Sequence, residues 1–108
     1  MATLTAQTIV RAALTPALAA AAAGGDEFVN TGKEFVELEN ASVGDIVATF
    51  VTTATVDGLA VADRTVTIDA GERRFVGPFS SSYEDSETKI QITYDGVTSL
   101  TIGVFRYA

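Results

Sequence analysis

Fourteen carboxylates are the most numerous reactive groups in this 108-residue chain, which has neither Cys nor His. They gather at Asp26 and Glu27, at Glu34, Glu37 and Glu39, and at Glu84, Asp85 and Glu87. A glycosidase would need two of them held about 5 to 9.5 Å apart across a cleft. A calcium loop would need the spacing D-x-[DN]-x-[DN]-G, which does not occur. A solvated strand face and a solvated loop account for the carboxylates; a weak loop cation through Glu84, Asp85 and Glu87 is the one alternative. Without His the chain lacks the usual general base, and without Cys or His it lacks the common zinc ligands and nucleophile pairs. The expectation is therefore no enzyme, with no catalytic residue, no cofactor and no metal.

The formal net charge of −7 works against phosphate-backbone binding, which needs a Lys/Arg footprint to release counterions. Neither nucleic acid nor membrane is an expected partner, and no apolar run approaches the ~20 residues that span a bilayer. Arg73-Arg74 is the only basic pair. On a strand the two must face opposite sides, so they form no single patch, and one of them is expected to make an ion pair within the chain or across a subunit contact. Phe28, Phe79, Tyr83 and Tyr107 fall near strand or loop ends. They suit core or interface packing, or the stacking platforms of a sugar-binding module.

The elements that position these residues are short strands. Lys89 to Tyr107 reads as a hairpin: Ile90, Ile92 and Tyr94 alternate with polar neighbours, Asp95-Gly96 supplies the turn, and Leu100, Ile102 and Val104 return on one face, opposite Thr101, Gly103 and Phe105. Glu34 to Glu39 places Val36 and Leu38 inward, and Phe35 implies a partly covered outer face. Asp45 to Ala54 carries apolar groups on both sides, as a central strand does. Asp57-Gly58 marks another hairpin, Arg64 to Ile68 points Val66 and Ile68 inward, and Arg73 to Gly77 is read with Phe75 inward, ending at Pro78. Seven or eight strands at this spacing predict an all-β, jelly-roll-like β-sandwich, with an immunoglobulin-like sandwich as the alternative.

Residues 1–25 differ in kind, with the single charge Arg11, the alanine run up to Ala23, and Gly24-Gly25 as a boundary. A short helix from Pro16 to Ala23 and a signal segment are both conceivable. The reading adopted is an extended N-terminal arm, residues 1–25, on a β-sandwich domain, residues 26–108, since small side chains let a backbone lie close to another surface. Its apolar residues Leu4, Ile9, Val10, Leu14 and Leu18 are the candidate partner-binding set. Deleting Met1 to Ala23 is expected to leave a cooperative β-rich melt.

Over most of its length the chain resembles a family of small structural proteins encoded in the head-gene regions of tailed bacteriophages, thought to act as capsid decoration or cement proteins. The likeness lies in LTPALAAAAAGGDEFVNTGKEFVELEN (Leu14 to Asn40), in ATVDGLAVADRTVTIDAGERRFVGPF (Ala54 to Phe79) and in the strand ending at Tyr107. The resemblance implies a structural virion protein on the capsid exterior, bound to the major capsid protein and to itself as a homotrimer. A carbohydrate-binding or pilus-type β-sandwich module is the alternative.

Overall fold

The computed structural model describes residues 1–107 and shows an all-β sandwich. Twelve strands are described: β1 (Ala2–Leu4), β2 (Gln7–Thr8), β3 (Ala19–Ala20), β4 (Asp26–Val29), β5 (Glu34–Asn40), β6 (Ile46–Phe50), β7 (Thr55–Val56), β8 (Leu59–Ala60), β9 (Arg64–Ile68), β10 (Arg73–Val76), β11 (Lys89–Tyr94) and β12 (Leu100–Arg106). The first sheet runs β1-β4-β11-β6-β9, the second runs β10-β5-β12 with β2 and β3 on the far edge of β12, and β7-β8 stand apart. The shortest dimension, 20 Å, is what two layers about 10 Å apart with their outer side chains require.

Alternation along the strands builds the core. Val36 and Leu38 of β5 and Leu100, Ile102 and Val104 of β12 face Ile90 and Ile92 of β11, Phe50 of β6 and Phe28 of β4, all at most 1% exposed. Phe79 closes one end, its ring 5.1 Å from Phe50 and 5.7 Å from both Phe28 and Tyr83. Two of the aromatics placed near strand ends thus belong to the core.

Three sequence expectations are corrected. Lys89 to Tyr107 is not a hairpin: β11 pairs with β4 and β6, β12 pairs with β5, and residues 95–99 carry the chain from one sheet to the other. Asp95 makes this crossing by accepting the Val47 N–H at 2.8 Å and donating its own N–H to Val47 O at 3.1 Å. Two strands each with one strongly apolar face satisfy both faces by meeting across the sandwich rather than side by side. The strand expected from Asp45 to Ala54 ends at Phe50 and shows buried and half-buried residues in alternation, because β6 has one face to the core and one outward. Phe75 points outward and is 68% exposed, while Val76 packs on the core. Its facing follows from register, since Phe75 pairs with outward Glu37 and Val76 with inward Val36.

The N-terminal segment lies on its own sandwich. Strand β1 runs parallel to β4, β2 runs parallel to the end of β12 through Phe105 and Arg106, and β3 pairs antiparallel with Thr101 and Ile102. Leu4 and Ala6 pack against the core, and Ala21 is part of it. Two glycines permit this path. Gly25 turns the chain at φ +93°, where a Cβ would lie 2.6 Å from Ile92 O, and a Cβ on Gly103 would lie 2.6 Å from Leu18 Cδ2 and 3.0 Å from Ala17 O. Against the expectation that the core melts equally well without residues 1–23, the deletion would strip an edge from each sheet.

Ile92→Ala, Ile102→Ala and Phe50→Ala should each lose about 2 to 5 kcal/mol in denaturant titrations, through lost burial and residual cavity. Gly103→Ala should lose about 1 to 3 kcal/mol by overpacking against the arm, and deletion of residues 1–23 should lower the melting temperature well beyond a few degrees. A truncated chain that melts with the intact one would show that the arm merely rests on the sheets.

Candidate functional site

The outer face of the second sheet concentrates apolar surface. Three rings cross it in a row: Phe75 on β10, Phe35 on β5 at 5.9 Å, and Phe105 on β12 stacked on Phe35 at 5.7 Å. All have outward parity, because Phe35 sits opposite Phe105 in register while their neighbours Val36 and Val104 are paired inward. Over them passes the loop from Ile9 to Leu18. It is held by one amide, as Gln7 Nε2 donates to Ala17 O at 2.8 Å and Gln7 Oε1 accepts the Ala17 N–H at 2.9 Å.

Loop and sheet enclose a groove of about 390 Å³ lined by Ile9, Val10, Leu14, Pro16 and the three rings. A second groove of about 440 Å³ continues past Phe35 and Phe75 to Pro78 and Tyr107. Phe75 stands as a ridge between the two, and Ile9, Val10 and Tyr107 are 40%, 49% and 46% exposed.

Of the five arm residues singled out in the sequence, the structure brings Ile9, Val10 and Leu14 together here. Leu4 packs against the core and Leu18 lies over Gly103. Sequence reasoning missed Phe75 and the second groove. The available signal was the shared parity of Phe35 and Phe105, which makes any ring arriving on the next strand part of the same row.

Charge on this face is partly paired. Glu37 and Glu39 on this face both lie near Arg73, at 3.7 and 3.2 Å, and Arg11 sits in the turn closed by Ala13 N–H to Val10 O. The Arg73 guanidinium thus offsets part of the charge of these two carboxylates. Arg74 turns the other way, to Asp69 at 3.1 Å and Glu72 at 3.8 Å.

The remaining carboxylates named above serve the fold. Asp26 is buried and accepts the Tyr94 hydroxyl at 2.7 Å; burial, then this bond, pushes the Tyr94 phenol far above its usual range. Glu27 pairs with Lys89 at 3.0 Å, and Glu84 accepts from Asn30 at 2.8 Å. Asp85 receives the backbone N–H groups of Glu87 and Lys89 at 2.8 and 3.0 Å. Glu34, fully buried, accepts from Thr31 N at 2.6 Å, from the Thr31 hydroxyl and from Arg106. Among the described residues no three Asp or Glu side chains converge as a metal ion would need.

Comparison of the chain with protein-family models, with curated proteins and with solved structures returned no match. The geometry therefore stands alone: an apolar surface with two grooves that share Phe35 and Phe75.

Burial raises the Glu34 carboxyl, and the bonds from Thr31 and Arg106 outweigh it, holding the group below its ordinary 4.5. A carboxyl lowered on folding adds stability that is complete above the unfolded value and is lost as pH falls through the folded one. Melts from pH 7 to 2 should thus show the wild type losing its advantage over Glu34→Gln as pH drops below about 4.5. At neutral pH the variant should be less stable by about 1.5 to 3 kcal/mol, the scale of a hydrogen bond to a charged group. A pH-independent difference would contradict this role.

Proposed function

We propose that this chain is a structural virion protein that decorates and stabilises the outside of a bacteriophage capsid, with the major capsid protein and copies of itself as partners and no chemistry of its own. The observation that carries the reading is the apolar outer face of the second sheet, with two grooves that share Phe35 and Phe75. It agrees with the family resemblance along Leu14 to Asn40 and Ala54 to Phe79.

Exposed ion pairs contribute only about 0 to 1 kcal/mol each, so attachment of a −7 protein must come from burial. Ile9, Val10, Leu14, Phe75 and Tyr107 supply side chains worth roughly 1.5 to 3 kcal/mol apiece before ordering costs. With this face against the shell, the acidic remainder points to solvent and keeps decorated particles apart. On the shell the protein forms a homotrimer, by the closed symmetry that identical subunits favour.

Purified protein should bind undecorated shells of the parent phage and leave a glycan array empty, and it should be present in virions in stoichiometric amount. Binding should survive moderate salt, because burial is not screened. Ile9→Asp with Phe75→Asp, both exposed positions, should keep the wild-type melt and weaken shell binding at least tenfold. Virions without the protein, or a carbohydrate on the array that it binds, would sink the reading in favour of a sugar-binding module.

A further inference from the structure

The β7–β8 hairpin pairs with neither large sheet, and every residue from Thr55 to Ala60 is exposed. Its base is fixed: Val61 N–H bonds Ala54 O at 3.1 Å, and Thr52 bonds Val61 O and Asp63, the latter through its N–H at 2.9 Å. Its tip holds Val56 and Leu59 in water, 64% and 74% exposed, on either side of Asp57-Gly58. A two-stranded hairpin is marginal by itself, and apolar side chains at the tip of a finger gain nothing from the chain that carries them.

Beside this finger the sandwich is open. Strands β9 and β10 are the edge strands of the two sheets, joined by the turn at residues 69–72. Between them lies a groove of about 500 Å³ whose walls include Val66, Phe75, Pro78, Phe79 and Tyr83, with Arg64 and Arg74 as its charged members. Arg74 is taken by Asp69 and Glu72. Among the described residues Arg64 has no carboxylate within 4.0 Å; it only donates to the Tyr83 hydroxyl at 3.4 Å. That leaves an unpaired guanidinium in a chain with twice as many acids as bases.

We propose that the finger of one copy seats in this groove of a second copy, with Val56 and Leu59 against its apolar wall and the Asp57 carboxylate on the Arg64 guanidinium. Charge selects the occupant. Two chains at −7 repel unless a contact pairs opposite signs locally, and here an acidic tip meets a free base. The finger runs directly into Arg64 along the chain, so each copy carries both finger and groove, and the same contact can repeat between copies about a closed symmetry axis. This contact shares Phe75 and Pro78 with the edge of the face proposed to meet the shell, but Val56, Asp57, Leu59 and Arg64 line neither groove of that face, so it is testable on the chain alone.

Sedimentation equilibrium of the full chain, up to about 1 mM to include weak association, should show a concentration-dependent oligomer. Leu59→Asp should keep the wild-type circular dichroism and melt yet associate at least tenfold more weakly. Asp57→Asn, which suits the positive φ of 52° there, should weaken association and reduce its salt sensitivity. Because the chain has no cysteine, mixing Leu59→Cys chains with isotope-labelled Tyr83→Cys chains should give the mixed disulfide in excess over a control pair of Leu59→Cys and Val43→Cys. A wild type that stays monomeric throughout, a Leu59→Asp chain that associates as tightly, or mixed disulfide no more abundant than the control would each overturn the proposal.

Discussion

Strand β12 has two hydrogen-bonding edges, and the structure depends on how the second is covered. One edge pairs with β5 over its whole length. The other is taken by the N-terminal segment in two pieces, β2 at Phe105 and Arg106 and β3 at Thr101 and Ile102. An unpaired edge there would leave the central strand of the sheet open to other chains. The cover fits because Gly103, between the two pieces, has no Cβ to collide with Leu18 and Ala17. The loop between β2 and β3 is then forced out over the sheet, which is how Ile9, Val10 and Leu14 come to lie beside Phe35 and Phe105. Edge protection and the apolar face are two results of one path.

The same economy governs charge. Buried carboxylates are costly unless paired, and Asp26, Glu34 and Glu37 each have a partner in a hydroxyl or a guanidinium. These acids are consumed by the fold. Others, such as Asp69, Glu72 and Asp95, lie in turns and loops, whereas the outer face of the second sheet presents a row of rings. Such a body is suited to lying on a surface in a fixed orientation.

Much of the architecture was legible in the sequence, because period-two alternation survives tertiary context wherever one face is buried. Val36, Leu38, Ile90, Ile92, Ile102 and Val104 all sit inward as their alternation demands, and Asp57-Gly58 does turn a hairpin. Pairing was not legible. Asp95-Gly96 looks the same in a sequence whether the chain folds back within a sheet or crosses to the opposite one, and only the unmet apolar faces of β11 and β12 decide it. The inverted reading of Phe75 has the same origin, since β10 is four residues long and its register, set by β5, fixes its facing. The site was half visible. The arm residues stand out by composition, whereas the rings they join are separated by up to seventy positions and become one row only through strand order.

Of the six connections between consecutive strands among β4, β5, β6, β9, β10, β11 and β12, five change sheets. The middle of the second sheet is supplied by the last strand, β12. While the chain is being made, β5 therefore waits for β12 with one hydrogen-bonding edge unpaired, for several seconds at about 5 to 20 residues per second. Strand β1 can pair early with β4, whereas β2 and β3 wait as long, since their partner edge is on β12. The second sheet is thus completed only once β12 has been made, and a surplus of negative charge disfavours association with neighbouring chains until then.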